Sequence, residues 1–233
     1  TQIDSLLLEI DSSLSTYKEY SLISRLNKGE TIKVDKMFSD VFSAANKVFA
    51  ESGGLFDCSI APLSNYWGFG FEESLSEIDS AEVLRRLKLV DYSKLQIKND
   101  SLKLPIGMQL DYNAIAQGYA VDIVSDFLEG KSIVNYLVEI GGELRANGTN
   151  PDSKLWLVGI DKPTEDSNFQ QDFQIILGLE NSSLATSGNY RKFKEIDGVK
   201  YSHTISTETG FFAKNRMLSA TVIHPSCMFS DAY

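Results

Sequence analysis

Apolar positions recur at helical spacing in the first half of the chain and at strand spacing in the second. Ile3, Leu6, Leu7, Ile10 and Leu14 share one face of a helix predicted over residues 2–17. Val34, Met37, Phe38, Val41, Phe42, Ala45, Val48 and Phe49 do the same over 34–50, and Gly53 and Gly54 are expected to stop that helix. A third helix is predicted over 80–88, opened by Asp79 and Glu82 as a capping pair. The stretch LQIKNDSLKLP alternates around an Asn-Asp-Ser turn and predicts a hairpin. A further helix is predicted after Asp111, carrying Ile115, Tyr119, Ile123, Val124, Phe127 and Leu128 and ending near Gly130.

Beyond that point the period changes. IVNYLVEI, KLWLVGID, FQIILGLE, KFKEI, KYSHTIS and LSATVIH are short, β-rich and separated by turn residues. IDGV at 196–199 predicts a tight turn, and DKPTEDSNFQQD at 161–172 a polar surface loop. Helices come mostly first and strands mostly later, which favours α+β over an alternating α/β order. No internal repeat or low-complexity linker is visible and one large domain or two intimate ones both fit; a single domain over residues 1–233 with truncated ends is the expectation.

Composition narrows the classes. At 233 residues, 42% hydrophobic and 23% charged, the chain is ordinary for a globular protein. A chain of this length buries roughly 70% of its unfolded surface and needs no disulfide staples. The two cysteines, Cys58 and Cys227, sit in apolar company and are expected as buried free thiols. The net charge of −10 argues against a nucleic-acid surface. An anionic ligand would need local donors or a metal. No stretch approaches the ~20 apolar residues of a membrane span, and no signal peptide is visible.

Several constellations carry candidate chemistry, each beside a plainer reading. GGLFDCSIAPLSNYWGFG (53–70) combines glycines with large aromatics in an otherwise irregular stretch; it can stack on a flat ring ligand or simply cover the core. EIGGELRANG (139–148) has a glycine pair able to present N–H groups to a phosphate, but no G-x-G-x-x-G, and a bulge or hairpin turn is plainer. Thr186, Ser187 and Gly188 in LATSGNYRKF offer hydroxyls and N–H groups in a predicted turn. His203 in YSHTISTETG is a candidate general base or a structural histidine. Asp231 in FSDAY follows a hydrophobic strand; with Asp111 it supplies hard oxygens suited to Mg2+, or it is an exposed carboxylate at a frayed end. Asp111 itself sits awkwardly beside the apolar Ala114, Ile115 and Ala116. Zinc-type Cys/His spacing, a P-loop and a G-x-S-x-G elbow are all absent from the sequence.

Taken in order, FDCSIAPLSNYWGFG, LDYNAIAQGYAVD, VEIGGELRANG, WLVGIDKP, ATSGNYRKF, YSHTISTETG and ATVIHPSCMFSDAY resemble the ApbE family, the FAD:protein FMN transferases, over nearly the whole chain. The resemblance implies a two-lobed, T-fold-like α+β architecture with a β-rich core and flanking helices. It implies FAD and Mg2+ in a cleft, and transfer of the FMN half of FAD to a Thr or Ser hydroxyl of a target protein, releasing AMP. The acceptor would be a protein of a membrane redox complex. A periplasmic or otherwise extracytoplasmic protein, lipid-anchored in its full-length precursor, is implied as well.

Residue by residue, Asp111 resembles the acid that holds the nucleotide end of FAD, and Ala114 the position whose backbone carbonyl binds the metal. Asp231 resembles a side-chain metal ligand. Trp67, Gly68 and Phe69 match the loop that lines the nucleotide, and Gly141, Gly142 and Glu143 the glycine-pair block near the ligand. Thr186, Ser187 and Gly188 match a turn near the pyrophosphate, His203 the histidine considered for base catalysis, and Ile205 an apolar residue near the flavin. Gln117 is a departure: the family usually has Lys there, and a neutral amide makes a weaker contact with a diphosphate. The family's Met-Gly strand and a further metal ligand shortly past Asp231 fall outside this sequence. An FAD pyrophosphatase giving FMN and AMP, and a non-catalytic FAD-binding protein, are the alternatives.

Overall fold

The computed structural model describes residues 1–70, 79–162, 173–188, 193–196, 199–202, 204–213 and 217–233. Helices dominate the first half and antiparallel strands the second, the α+β order the sequence predicts. The chain divides into two units. One is Thr1–Ala116 with Thr204–Ala213, and the other is Gln117–His203 with Lys214–Tyr233.

The first unit opens with α1 (Gln2–Leu14), capped by the Thr1 hydroxyl, which accepts the Asp4 N–H while the Asp4 side chain reaches back to the Thr1 backbone. The helix stops short of residue 17, with Ser15 already extended. α2 (Leu22–Asn27) is a short helix that the periodicity did not reveal; the Ser21 hydroxyl accepts the Ser24 N–H and caps it. After β1 (Ile32–Lys33), α3 (Lys36–Glu51) matches its prediction closely. Asp35 Oδ1 accepts the Phe38 N–H at 2.7 Å, and Phe38, Val41, Phe42, Ala45 and Val48 are buried. Burial of each larger side chain contributes roughly 1.5–3 kcal/mol. Gly53 and Gly54 end the helix with φ of +64° and +88°.

α4 (Ala61–Tyr66) lies inside the stretch expected to be irregular, with Pro62 accommodated in its first turn. In α5 (Ser80–Leu87) only half of the expected capping pair forms. Asp79 accepts the Ala81 and Glu82 N–H groups, but the Glu82 carboxylate turns to Arg85 and Arg86 at 2.6 and 2.7 Å. The Asp79 N–H donates instead to the Tyr66 hydroxyl at 2.9 Å. The predicted hairpin turn is present: Lys98 and Ser101 exchange two hydrogen bonds of 2.9 Å across Asn99 and Asp100, whose φ angles are +48° and +57°. Its second arm, β2 (Ser101–Leu102), pairs with β1.

In the second unit, α6 (Ala116–Gly130) begins five residues later than a helix opening at Asp111 would. The Asp111 carboxylate accepts the Asn113 N–H at 2.8 Å and closes a local turn, which corrects the expected helix start. β3 (Tyr136–Ile140), β4 (Glu143–Asn147), β5 (Trp156–Asp161), β6 (Phe173–Leu179), β7 (Ser182–Gly188), β8 (Phe193–Ile196), β9 (Val199–Ser202) and β10 (Ser219–His224) follow, and α7 (Cys227–Ala232) closes the chain. β10, β7, β4 and β3 form an antiparallel sheet in that order, with β5–β6 and β8–β9 as separate hairpins. Buried Leu144, Ala146, Leu179 and Leu184 form its core, with Trp156, Val158 and Leu177 packed against them.

β7 was not expected as a strand, nor α7 as a helix, whereas β4 follows from the hairpin turn read at Gly141–Gly142. The centre of the predicted IDGV turn, residues 197 and 198, and most of the predicted loop, residues 163–172, lie outside the described residues, as does His203. Both cysteines are free and buried, as expected. Among the described residues no helix is long and apolar enough to cross a membrane.

Candidate functional site

The first turn of α6 brings together Gln117, Gly141, Glu143 and Asp231. The first N–H groups of a helix have no partner within it. The Gly118 N–H finds one in Asp231 Oδ2, 2.9 Å away on α7. This approach requires glycine: a Cβ at Gly118 would stand 2.3 Å from the Cys227 carbonyl oxygen and 2.7 Å from Asp231 Cβ. The reverse bond lies one turn on, where Asp122 of α6 receives the start of α7. Asp122 Oδ1 accepts the Cys227 N–H at 2.9 Å, and Oδ2 accepts the Met228 N–H at 2.9 Å and the Ser226 hydroxyl at 2.6 Å. Arg145 Nη1 donates to Asp122 Oδ1 at 3.1 Å. Each helix therefore carries an aspartate that satisfies the other's opening N–H groups.

Gln117 and the glycine pair complete the turn. Gln117 Nε2 donates to the Ile140 carbonyl at 2.8 Å and to the Glu143 carboxylate. Gly141 has φ of +63°, and a Cβ there would stand 2.1 Å from Gln117 Nε2. The Gly142 N–H donates to Glu139 Oε1 at 2.7 Å. The pair thus makes the β3–β4 hairpin turn and leaves room for Gln117.

Asp231 and Glu143 are both partly buried, and both carboxyls titrate high. Burial pushes Asp231 up to about 6, against the opposing Gly118 N–H. Burial pushes Glu143 up to about 7, reinforced by the charges of Asp231 and Glu139. Burial, with Asp122, Asp231 and Glu143 nearby, also holds the Cys227 thiol well above its usual range. Hard carboxylate oxygens that repel one another fit a divalent cation such as Mg2+, which lifts the repulsion and accepts backbone and phosphate oxygens in its remaining positions. Among the described residues no group of three or more His, Cys, Asp or Glu side chains forms a metal cage. A magnesium ion held by one or two carboxylates and substrate phosphates requires none.

Thr186, Ser187 and Gly188 lie in strand β7 opposite Thr221, Ala220 and Ser219, with the Thr186 and Thr221 hydroxyls 2.9 Å apart. The expected turn is not formed there: pairing with β10 extends this short polar run.

The first unit holds the other candidates. Trp67 is buried, its Nε1 donating to the Gly210 carbonyl at 2.8 Å and its ring centroid 4.4 Å from that of Phe212. Phe69 meets Phe212 edge-on at 6.1 Å, so Trp67 and Phe69 converge on one ring, while Ile205 pairs with Phe212 through an antiparallel backbone bridge. Gly68, with φ of +70°, makes the turn between Trp67 and Phe69. Asp111 is anchored by its own N–H to the Cys58 carbonyl at 2.8 Å, and burial raises its carboxyl. Ala114 is exposed in the turn that precedes α6.

Sequence reasoning missed Asp122 and Asp57. Asp57 is buried and accepts the Ser59 N–H, the Ser59 hydroxyl and the Tyr92 N–H at 2.7, 2.6 and 3.1 Å. The signal for Asp122 was present: a carboxylate three residues after Tyr119 and seven after Ile115, on the helix's apolar stripe.

Comparison with known proteins agrees with the resemblance in the sequence. A family model described as the ApbE family matches residues 1–233. A Vibrio cholerae protein named FAD:protein FMN transferase is 38% identical over 236 residues, covering 99% of this chain and 70% of that protein. The Escherichia coli K12 protein of the same name is 32% identical over 243 residues, covering 100% of this chain and 67% of that protein. The solved flavin transferase ApbE from Vibrio cholerae aligns with a TM-score of 0.87 at 36% identity, over 99% of this chain and 74% of that one. The Pseudomonas stutzeri flavinyl transferase ApbE, in its apo form, gives 0.87 at 34% identity, over 99% and 72%. Matched along its whole length by the family model and in fold by solved members, the chain belongs to the ApbE family.

Proposed function

We propose that this chain transfers the FMN half of FAD to a Ser or Thr hydroxyl of a target protein, with Mg2+ bound at Asp231. The names of its relatives, FAD:protein FMN transferases, support the transfer. The observation that carries the metal is the place of Asp231, whose Oδ2 is held by the Gly118 N–H next to Gln117, the residue that reaches Glu143, so that two partly buried carboxyls lie against one helix turn.

In the reaction the acceptor oxygen bonds to the FMN phosphorus. The pyrophosphate P–O bond breaks, AMP leaves with the electron pair, and the hydroxyl proton passes to a base. When bound, Mg2+ supplies charge neutralisation at the phosphate oxygens. Asp231 is set for its part, because the Gly118 N–H fixes Oδ2 and leaves Oδ1 to a ligand. Gln117 offers a neutral amide in the same turn. His203 is proposed as the base from the sequence. The protein's contribution is then positioning and electrostatics. On this reading the acceptor is a protein of a membrane redox complex and the enzyme acts outside the cytoplasm, both of them expectations from the family resemblance.

The test is incubation of the purified protein with FAD, Mg2+ and a candidate acceptor. Acceptor mass should rise by one FMN as an equal amount of AMP appears. FMN and AMP both released, with the acceptor unlabelled, would identify a pyrophosphatase. FAD bound but unchanged would identify a binding protein.

A further inference from the structure

We propose that Asp122 is a positioning residue for Asp231, acting through α7, so that metal binding at Asp231 and docking of α7 on α6 are thermodynamically linked. The proposal rests on the reading of Asp231 as a metal ligand.

α7 has six residues, too few to hold its shape alone, so its position comes from what it touches. Its own N-cap residue, Ser226, makes no side-chain cap. The Ser226 hydroxyl instead donates to Asp122, and the two N–H groups that follow do the same. The cap of α7 is therefore supplied by another helix, more than a hundred residues earlier in the chain. Asp231 stands one turn after Cys227, so the end held by Asp122 and the end bearing the ligand are parts of one short rigid piece.

The far end is held by the Gly118 N–H to Asp231 Oδ2, and by Phe229 and Tyr233, whose ring centroids lie 5.3 and 6.4 Å from that of His224. Arg145 balances the charge of Asp122 and is itself held by Asp126 and Glu129 at 3.2 and 3.3 Å. Asp122 spends both oxygens on α7 and Arg145, so its effect on a ligand of Asp231 passes through the helix. If Asp122 biases where Asp231 stands, a cation bound to Asp231 must in return stabilise the docked helix. Cys227, fully buried in the first turn of α7, reports that docking, because its thiol is alkylated only when the helix lifts.

The experiment compares wild type, Asp122→Asn, Ser226→Ala and Asp231→Asn as full chains. It uses Mn2+ in the presence of FAD as the metal probe, Mn2+ affinity by electron paramagnetic resonance, and Cys227 alkylation by iodoacetamide mapped by mass. In wild type, Mn2+ should slow Cys227 alkylation. Asp122→Asn keeps the side-chain shape but replaces an acceptor by a donor; it should speed alkylation and weaken Mn2+ about tenfold. Ser226→Ala removes one of the three α7 bonds and should shift both readouts in the same direction by less. If Asp122→Asn does not fold, Ser226→Ala carries both readouts. Faster alkylation with unchanged Mn2+ affinity in a folded variant would reduce Asp122 to a structural cap and overturn the proposal. Wild-type Mn2+ affinity in Asp231→Asn would instead overturn the metal reading itself.

Discussion

The N–H of Gly118 and the carboxylate of Asp231 lie 2.9 Å apart although 113 residues separate them in the sequence. Two helices can approach this closely only where one lacks a side chain. Gly118→Ala would put a methyl group 2.3 Å from a backbone carbonyl, and backbone cannot swing aside as a side-chain tip can. The variant should lose about 1–3 kcal/mol of stability through overpacking. Urea denaturation checks this, and an unchanged midpoint would contradict the packing described.

The acid pair gives the metal-free protein a pH signature. Asp231 and Glu143 have folded values of about 6 and about 7, both above those of free carboxyls. A raised acid stabilises the fold while it is protonated, and that contribution is lost as pH climbs through the folded value. In chelator-treated protein, stability should therefore fall between about pH 4, near the unfolded values, and about pH 7, the higher folded value. Glu143→Gln keeps a neutral group at all pH values and should flatten the upper part of the curve. Thermal melts across this range make the comparison.

Gln117→Lys should strengthen FAD binding. The amide now spends its donors on the Ile140 carbonyl and Glu143. An ammonium would form an ion pair with Glu143 and add a full positive charge toward a diphosphate, and charge-assisted bonds are roughly twice as strong as neutral ones. A gain of about tenfold in affinity, read from quenching of flavin fluorescence, is the expected outcome.

The thiols should be silent in the native state. Both cysteines are buried, and burial with three neighbouring carboxylates keeps the Cys227 thiol protonated far beyond neutral pH. The thiolate is the reactive form. Native protein should react with a thiol-exchange reagent far more slowly than unfolded protein, which should titrate both groups at once.

Much of the helical half was legible because its signals are local. Asp35, the apolar stripe from Phe38 to Val48 and the pair Gly53–Gly54 state the start, face and end of α3 within twenty residues of sequence. The turn at Asn99–Asp100 is equally local. What failed depended on distant partners. Ser182–Gly188 is rich in small hydroxyl residues that suit a turn, and it becomes a strand through pairing with β10 and β4. α7 carries no cap of its own, so nothing near it announces a helix; Asp122 does that from afar. In the site, the resemblance singled out Asp231, Gln117 and Glu143 separately. Their contacts arise from the β3–β4 turn and the close approach at Gly118, which no spacing in the sequence encodes.

The excursion of Thr204–Ala213 into the first unit bears on how such a protein can be taken apart. Each unit is assembled from two non-contiguous stretches, so no single cut separates them. A fragment ending at Ala116 would leave Trp67 without the Gly210 acceptor and Phe212 ring that bury it. A fragment starting at Gln117 would carry that ten-residue ribbon with nowhere to lie. Recombination between relatives, whether in a laboratory or over evolutionary time, must therefore exchange the ribbon together with the helices it covers.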